Sequence, residues 1–140
     1  MPDRPAGRAL TPVRFRCEFT RYAAGGYPPL AYRRDMVFLE TPVFTRPIRA
    51  LMDDDQYRLL QLRILVDPAV GDLIPGSGGL RKVRCAIPGS GKRGGARVIY
   101  YLASGRDQIY LLLAYAKRDQ ADLTPDQLRT LRALVLEEFG

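Results

Sequence analysis

Residues 80–116 hold three short apolar runs separated by turn residues, and this pattern constrains the fold more than any other feature of the chain. The runs are Leu80 to Ala86, Ala96 to Leu102 and Gln108 to Ala116. The last two are rich in β-branched and aromatic residues, and the separators GSGKRGG and SGRDQ are turn-forming. Such spacing predicts consecutive hairpins, hence an antiparallel meander of three strands.

Helical signals lie on either side. MVFLE, residues 36–40, reads as a short strand, and Thr41-Pro42 then supplies an N-cap with proline at the first helical position. Phe44, Ile48, Leu51 and Met52 fall on one helical face. Asp53 with Gln56 starts a second helix. Tyr57, Leu60 and Ile64 form its stripe, with Leu59, Leu62 and Val66 beside them, and Asp67-Pro68 ends it. GDLIPGSGG, residues 71–79, reads as a loop. Beyond the meander, Thr124, Pro125 and Gln127 make a capping box, and Leu123 and Leu128 a hydrophobic staple. The predicted order is β-α-α-β-β-β-α, an α+β domain with an antiparallel central meander and helices packed on the sheet.

Residues 1–35 are unlike the rest. They carry many Pro and Gly, little periodicity, and seven Arg against three acids. VRFRCEF alternates like a strand but has no obvious neighbour. The compact domain is expected over 36–140. Residues 1–35 are then a basic, poorly ordered tail, an upstream extension, or an arm that helps hold nucleic acid.

The charge is concentrated. Of a net +7, residues 81–118 hold nine basic side chains and one acid, whereas 36–80 and 119–140 are both net acidic. Such a block is the footprint of a polyanion partner, the bland alternative being a solvated charged surface. No window is long and apolar enough to span a bilayer, and the N-terminus lacks the apolar region of a signal peptide. Cys17 and Cys85 are far apart and in no motif, as expected in a reducing cytoplasm. The absence of histidine excludes His-based nucleases, His-metal sites and Ser-His triads.

The glycine-rich turn PGSGKRGG invites comparison with a phosphate-binding P-loop, and fails it. Gly91-Lys92 is followed by Arg93 where a hydroxyl is needed, position 86 is Ala, and a strand rather than a helix follows.

Period two decides which side chains share a face. Lys82 and Arg84 point one way, Val83 and Cys85 the other. Arg97 shares a face with Ile99 and Tyr101, and Lys117 and Arg118 end the third strand. Strands in a meander lie about 4.8 Å apart, so Lys82, Arg84, Arg97 and Arg118 are expected to converge on one patch. Lys92 and Arg93 sit at its rim, and Arg81 and Lys117 beside it, as RNA-binding candidates. Any one cation has a bland alternative, an ion pair with Asp53, Asp72 or Asp119. The acids lie in the helical parts and do not converge as a metal-dependent nuclease requires, so neither metal nor cofactor is expected. RNA brings its own nucleophile, the 2′-OH. Lys82 beside Arg84 is then the base, its pKa lowered by like charge and burial. Arg84 and Arg97 clamp the phosphate, and Arg118 stabilises the leaving group or acts as the acid, though arginine is a poor proton donor. Tyr100 and Tyr101 either take part or pack in the sheet.

These residues resemble a known group. "LRK-apolar-R", a glycine turn, "G-x-R-V-I-Y-Y" and then "Y-x-K", set in GDLIPGSGGLRKVRCAIPGSGKRGGARVIYYL and LLLAYAKRDQADLT, look like the RelE/HigB group of bacterial type II toxins. The likeness runs from Met36 to about Val135. It implies the same β-α-α-β-β-β-α layout and a ribosome-dependent mRNA endonuclease acting in the cytoplasm. It also implies a cognate antitoxin, usually with a helix-turn-helix DNA-binding domain, and no membrane association. Carried over, the family's basic site falls on Lys82, Arg84, Arg97 and Arg118, with Lys117 beside it. Some members place a tyrosine before the last helix; this chain has Thr124, used as a cap. The rival readings are a ParE-like toxin acting on DNA gyrase and a non-catalytic nucleic-acid-binding module.

Overall fold

The computed structural model describes residues 11–15, 36–87, 94–103 and 108–139, with side chains for 37–87, 94–103 and 108–138. The elements are β1 (Thr11–Phe15), β2 (Met36–Glu40), α1 (Pro42–Leu51), α2 (Asp54–Val66), β3 (Asp72–Leu73), β4 (Leu80–Cys85), β5 (Ala96–Ala103), β6 (Gln108–Ala116) and α3 (Pro125–Phe139). One sheet has the order β1-β2-β6-β5-β4-β3. The meander β4-β5-β6 is antiparallel, and β2 joins β6 in parallel. Thr11–Phe15, which overlaps the first three residues of the VRFRCEF run, pairs antiparallel with β2, and the rest of that run lies outside the described residues. The 71–79 loop contributes β3, a two-residue edge beside β4.

The helices sandwich the sheet in three layers. On one face Phe44 and Ile48 of α1 and Leu60, Ile64 and Leu65 of α2 pack on Phe38, Val83, Val98, Tyr100, Ile109 and Leu111. On the other, Leu131 and Val135 of α3 pack on Leu80, Ile99, Tyr110, Leu112 and Leu113. Each large side chain buried in this way contributes about 1.5–3 kcal/mol, which sets the orientation of the helices.

Local chemistry starts the helices. Asp53 Oδ1 accepts from the Gln56 N–H at 2.8 Å, and Gln56 Oε1 accepts from the Asp53 N–H at 2.9 Å, a complete capping box. Thr124 and Gln127 repeat it at α3. Thr41 occupies the N-cap position of α1 but makes no side-chain cap. Its hydroxyl instead donates to the Leu112 carbonyl at 2.6 Å, and its N–H to the Leu111 carbonyl at 3.1 Å.

That contact pins a β-bulge. Tyr100 faces Leu111 but Ile99 faces Leu113, so Leu112 is an extra residue on β6. One extra residue exchanges the two faces of the strand beyond it. Past the bulge, Ala114 turns to the α1/α2 side and Tyr115 to the α3 side. Thr41 thus satisfies the carbonyls of Leu111 and the bulge residue Leu112.

Candidate active site

The α3 face of the meander carries the cations, and register places them in rows. Arg84 on β4 lies opposite Arg97 on β5, which lies opposite Tyr115 on β6. The next row is Lys82, Ile99 and Leu113. Cross-strand partners share a face, so Lys82, Arg84 and Arg97 lie on one side of the sheet as expected. Tyr115 packs in the same buried cluster as Leu131 and Val135 of α3, Arg97 is buried beside it, and Arg84 at the outer end of the row is exposed.

The environments differ. Arg97 is buried, 7 % exposed, and its guanidinium donates to the neighbouring Ala96 carbonyl at 3.2 Å. Neither Arg84 nor Arg97 has a carboxylate partner among the described residues. Lys82 does not stand alone between like charges: its Nζ lies 3.0 Å from Asp122 Oδ1, in the turn before α3. The Lys82 ammonium, then the Leu123 N–H, hold the Asp122 carboxyl below its ordinary range. Arg118 lies just past β6, highly exposed, with Nε 4.0 Å from Asp119. A pair so exposed contributes little, and leaves Arg118 available. Lys117 is exposed, and its N–H donates to the Gly95 carbonyl at 3.0 Å, closing β5 and β6 at the end where Arg97 sits.

One expectation needs correction, and one of two open alternatives finds its structural side. Arg81 belongs to the opposite face, in parity with Val83 and Cys85. Its guanidinium donates to the carbonyls of Gly71 at 2.8 Å and Ala69 at 3.4 Å, and so holds the loop before β3. Tyr100 is wholly buried on that same face, with its hydroxyl donating to Pro68 O and accepting from Gly71 N; it packs. Lys92 and Arg93 lie outside the described residues. The residue that strand-by-strand reading missed is Tyr115. Its signal was the Y-x-K motif, but its face depends on the bulge.

Of the remaining acids, Asp72 on β3 faces Lys82 across the strand pair and shares the cationic face. Glu40 is buried on the α1/α2 side, accepting from the hydroxyls of Thr45 and Tyr57. Tyr57 is pushed far above its ordinary range by burial first, then by the bond to Glu40. Cys85, also on that side, is a buried thiol raised to about 11 by burial. Among the described residues no three His, Cys, Asp or Glu side chains gather as a metal site, and no helix is long and apolar enough to cross a membrane.

A shared face with two arginines on facing strands, neither paired with a carboxylate among the described residues, is an anion-holding arrangement. Comparison with protein families identifies the chain independently of this arrangement. The model of the RelE toxin of the RelE/RelB toxin-antitoxin system matches residues 68–138, half of the chain, including the whole meander and nearly all of α3. The chain therefore belongs to the RelE toxin family and is the toxin half of a toxin-antitoxin pair, with a cognate antitoxin as its partner.

Proposed function

We propose that the chain is an mRNA endonuclease that cleaves on the translating ribosome, in the cytoplasm, by metal-independent attack of the RNA's own 2′-OH. The observation that carries this is the Arg84–Arg97 pair, set side by side on facing strands with no carboxylate partner among the described residues. Packed like charges repel, and a phosphodiester offers the charge and geometry that relieve them. In this reading Arg84 and Arg97 bind the non-bridging oxygens. Lys82 is the base of this reading and takes up the 2′-OH proton. The new bond joins O2′ to phosphorus, the bond to O5′ breaks, and the departing oxygen, stabilised by Arg118, takes a proton from water to leave as the 5′-hydroxyl. Lys117, Lys92 and Arg93 hold the flanking backbone, and Arg81 is left out. The toxin domain is residues 36–140, and its antitoxin carries a helix-turn-helix DNA-binding domain.

Induction of the full chain in a bacterial host tests this against its rivals. The expected outcome is growth arrest with mRNA broken inside reading frames and intact chromosomal DNA. Arrest with DNA breaks and whole mRNA would favour a gyrase-directed toxin. Salt-dependent nucleic-acid binding without arrest would reduce the chain to a binding module.

A further inference from the structure

Tyr115 has no part in the mechanism above, yet it completes the Arg84–Arg97 row. The residue is 6 % exposed, its hydroxyl oxygen is buried, and among the described residues that oxygen has no hydrogen-bond partner. A buried hydroxyl without a partner costs about 1–3 kcal/mol, and phenylalanine would fill the same space without that cost. Burial, then the Asp122 charge, raise its pKa, and Arg97 opposes them more weakly. The hydroxyl therefore keeps its proton at neutral pH and is able to donate.

The bulge gives this position its meaning. Uninterrupted alternation from Tyr110 would turn Ala114 toward Arg97 and send Tyr115 under α1 and α2. The extra residue Leu112, tied down by Thr41, brings the hydroxyl to the cationic face instead. Bulges recur next to active sites because they re-aim a side chain in this way. The surroundings supply a route for a ligand. Asp122, the anion nearest in effect to the hydroxyl, is also the carboxylate that holds Lys82. Its side chain is 68 % exposed, so the ion pair is weak and open to exchange.

We propose that Tyr115 is a further donor of the site: an RNA phosphate that takes Lys82 from Asp122 displaces the Asp122 turn and receives a hydrogen bond from the Tyr115 hydroxyl, alongside Arg84 and Arg97. This rests on the endonuclease reading, and Asp122 becomes a resident carboxylate that keeps the site closed to weaker anions.

Tyr115→Phe in the full chain is the test, read by mRNA cleavage in a bacterial translation extract, by thermal unfolding, and by binding of a 2′-O-methyl RNA that cannot be cleaved. Loss of one donor to a phosphoryl transition state predicts cleavage slower by about a hundredfold. The melting temperature is expected to hold or rise, because the lost hydroxyl had no partner. Asp122→Asn is expected to bind the 2′-O-methyl RNA severalfold more tightly, through the freed Lys82. Cleavage by Tyr115→Phe equal to wild type would overturn the proposal, as would no gain in affinity from Asp122→Asn. If wild type cleaves nothing, the endonuclease reading fails by itself. The RNA affinities then decide for Tyr115, and equal binding by wild type and Tyr115→Phe overturns its role as a donor.

Discussion

Arg97→Met is expected to slow mRNA cleavage about a thousandfold while leaving the protein as stable as before or more so. The two halves of this result have one cause. The Arg97 guanidinium is buried, and its bond to a neighbouring carbonyl is a poor substitute for a counter-charge. Taking an unpaired charge out of water costs several kcal/mol, and an apolar side chain of similar length removes that cost, for a gain of about 1 kcal/mol or more. On the proposed reading, a phosphate relieves this unfavourable state and cleavage draws on that relief. A purely structural arginine gives the opposite pattern: Arg97→Met unfolds more easily, and cleavage falls only as far as the folded fraction does. Arg97→Lys is also expected to be nearly inactive, since an ammonium cannot present the planar fork. Urea unfolding and single-turnover cleavage, done in parallel on the same preparations, separate the two accounts.

Gly95→Ala is expected to destabilise the fold by about 4 kcal/mol, lowering the melting temperature by roughly 15 °C. Gly95 has φ of 91°, a conformation that side chains rarely adopt, and a Cβ there would stand 2.4 Å from the Cys85 carbonyl oxygen. The obstacle is backbone, so β4 and β5 must part for the methyl group to fit. The damage reaches the site. Gly95 lies two residues before Arg97, and its carbonyl holds Lys117 N–H. Opening the hairpin here moves Arg97 away from Arg84, so cleavage is lost beyond the loss of folded protein. Gly76→Ala is the control. It too has positive φ, 71°, but a Cβ would meet nothing within 4 Å, and the cost should be only about 1–2 kcal/mol. Equal stabilities for the two variants, by thermal unfolding, would contradict the hairpin geometry described above.

What the sequence disclosed follows the range of the interactions. The capping boxes at Asp53–Gln56 and Thr124–Gln127 span three residues and were legible from chemistry alone. The meander was legible because turn residues separate its strands. Thr41 was placed at the right position with the wrong bond, since its acceptor, Leu112, lies 71 residues away. The pairing of β1 with β2 is likewise a non-local contact that alternation cannot reveal. Arg81 is a different case. Period two had already set Val83 and Cys85 against Lys82 and Arg84, and the same rule puts Arg81 with the former; local charge obscured it. Tyr115 was out of reach. Residues 109–116 are buried on both faces, so no polar alternation marks the bulge that turns Tyr115 toward Arg97.

The chemistry of the RNA ends tests the central claim most directly. Message recovered from a translating bacterial extract after incubation with the full chain should end in 2′,3′-cyclic phosphate on one side of the cut and 5′-hydroxyl on the other. Neither end should form with Arg97→Met, or when the nucleotide at the cut carries 2′-O-methyl. Intact message, ends bearing 5′-phosphate, or cuts that persist at a 2′-O-methyl nucleotide would contradict cleavage by the 2′-OH on this cationic face.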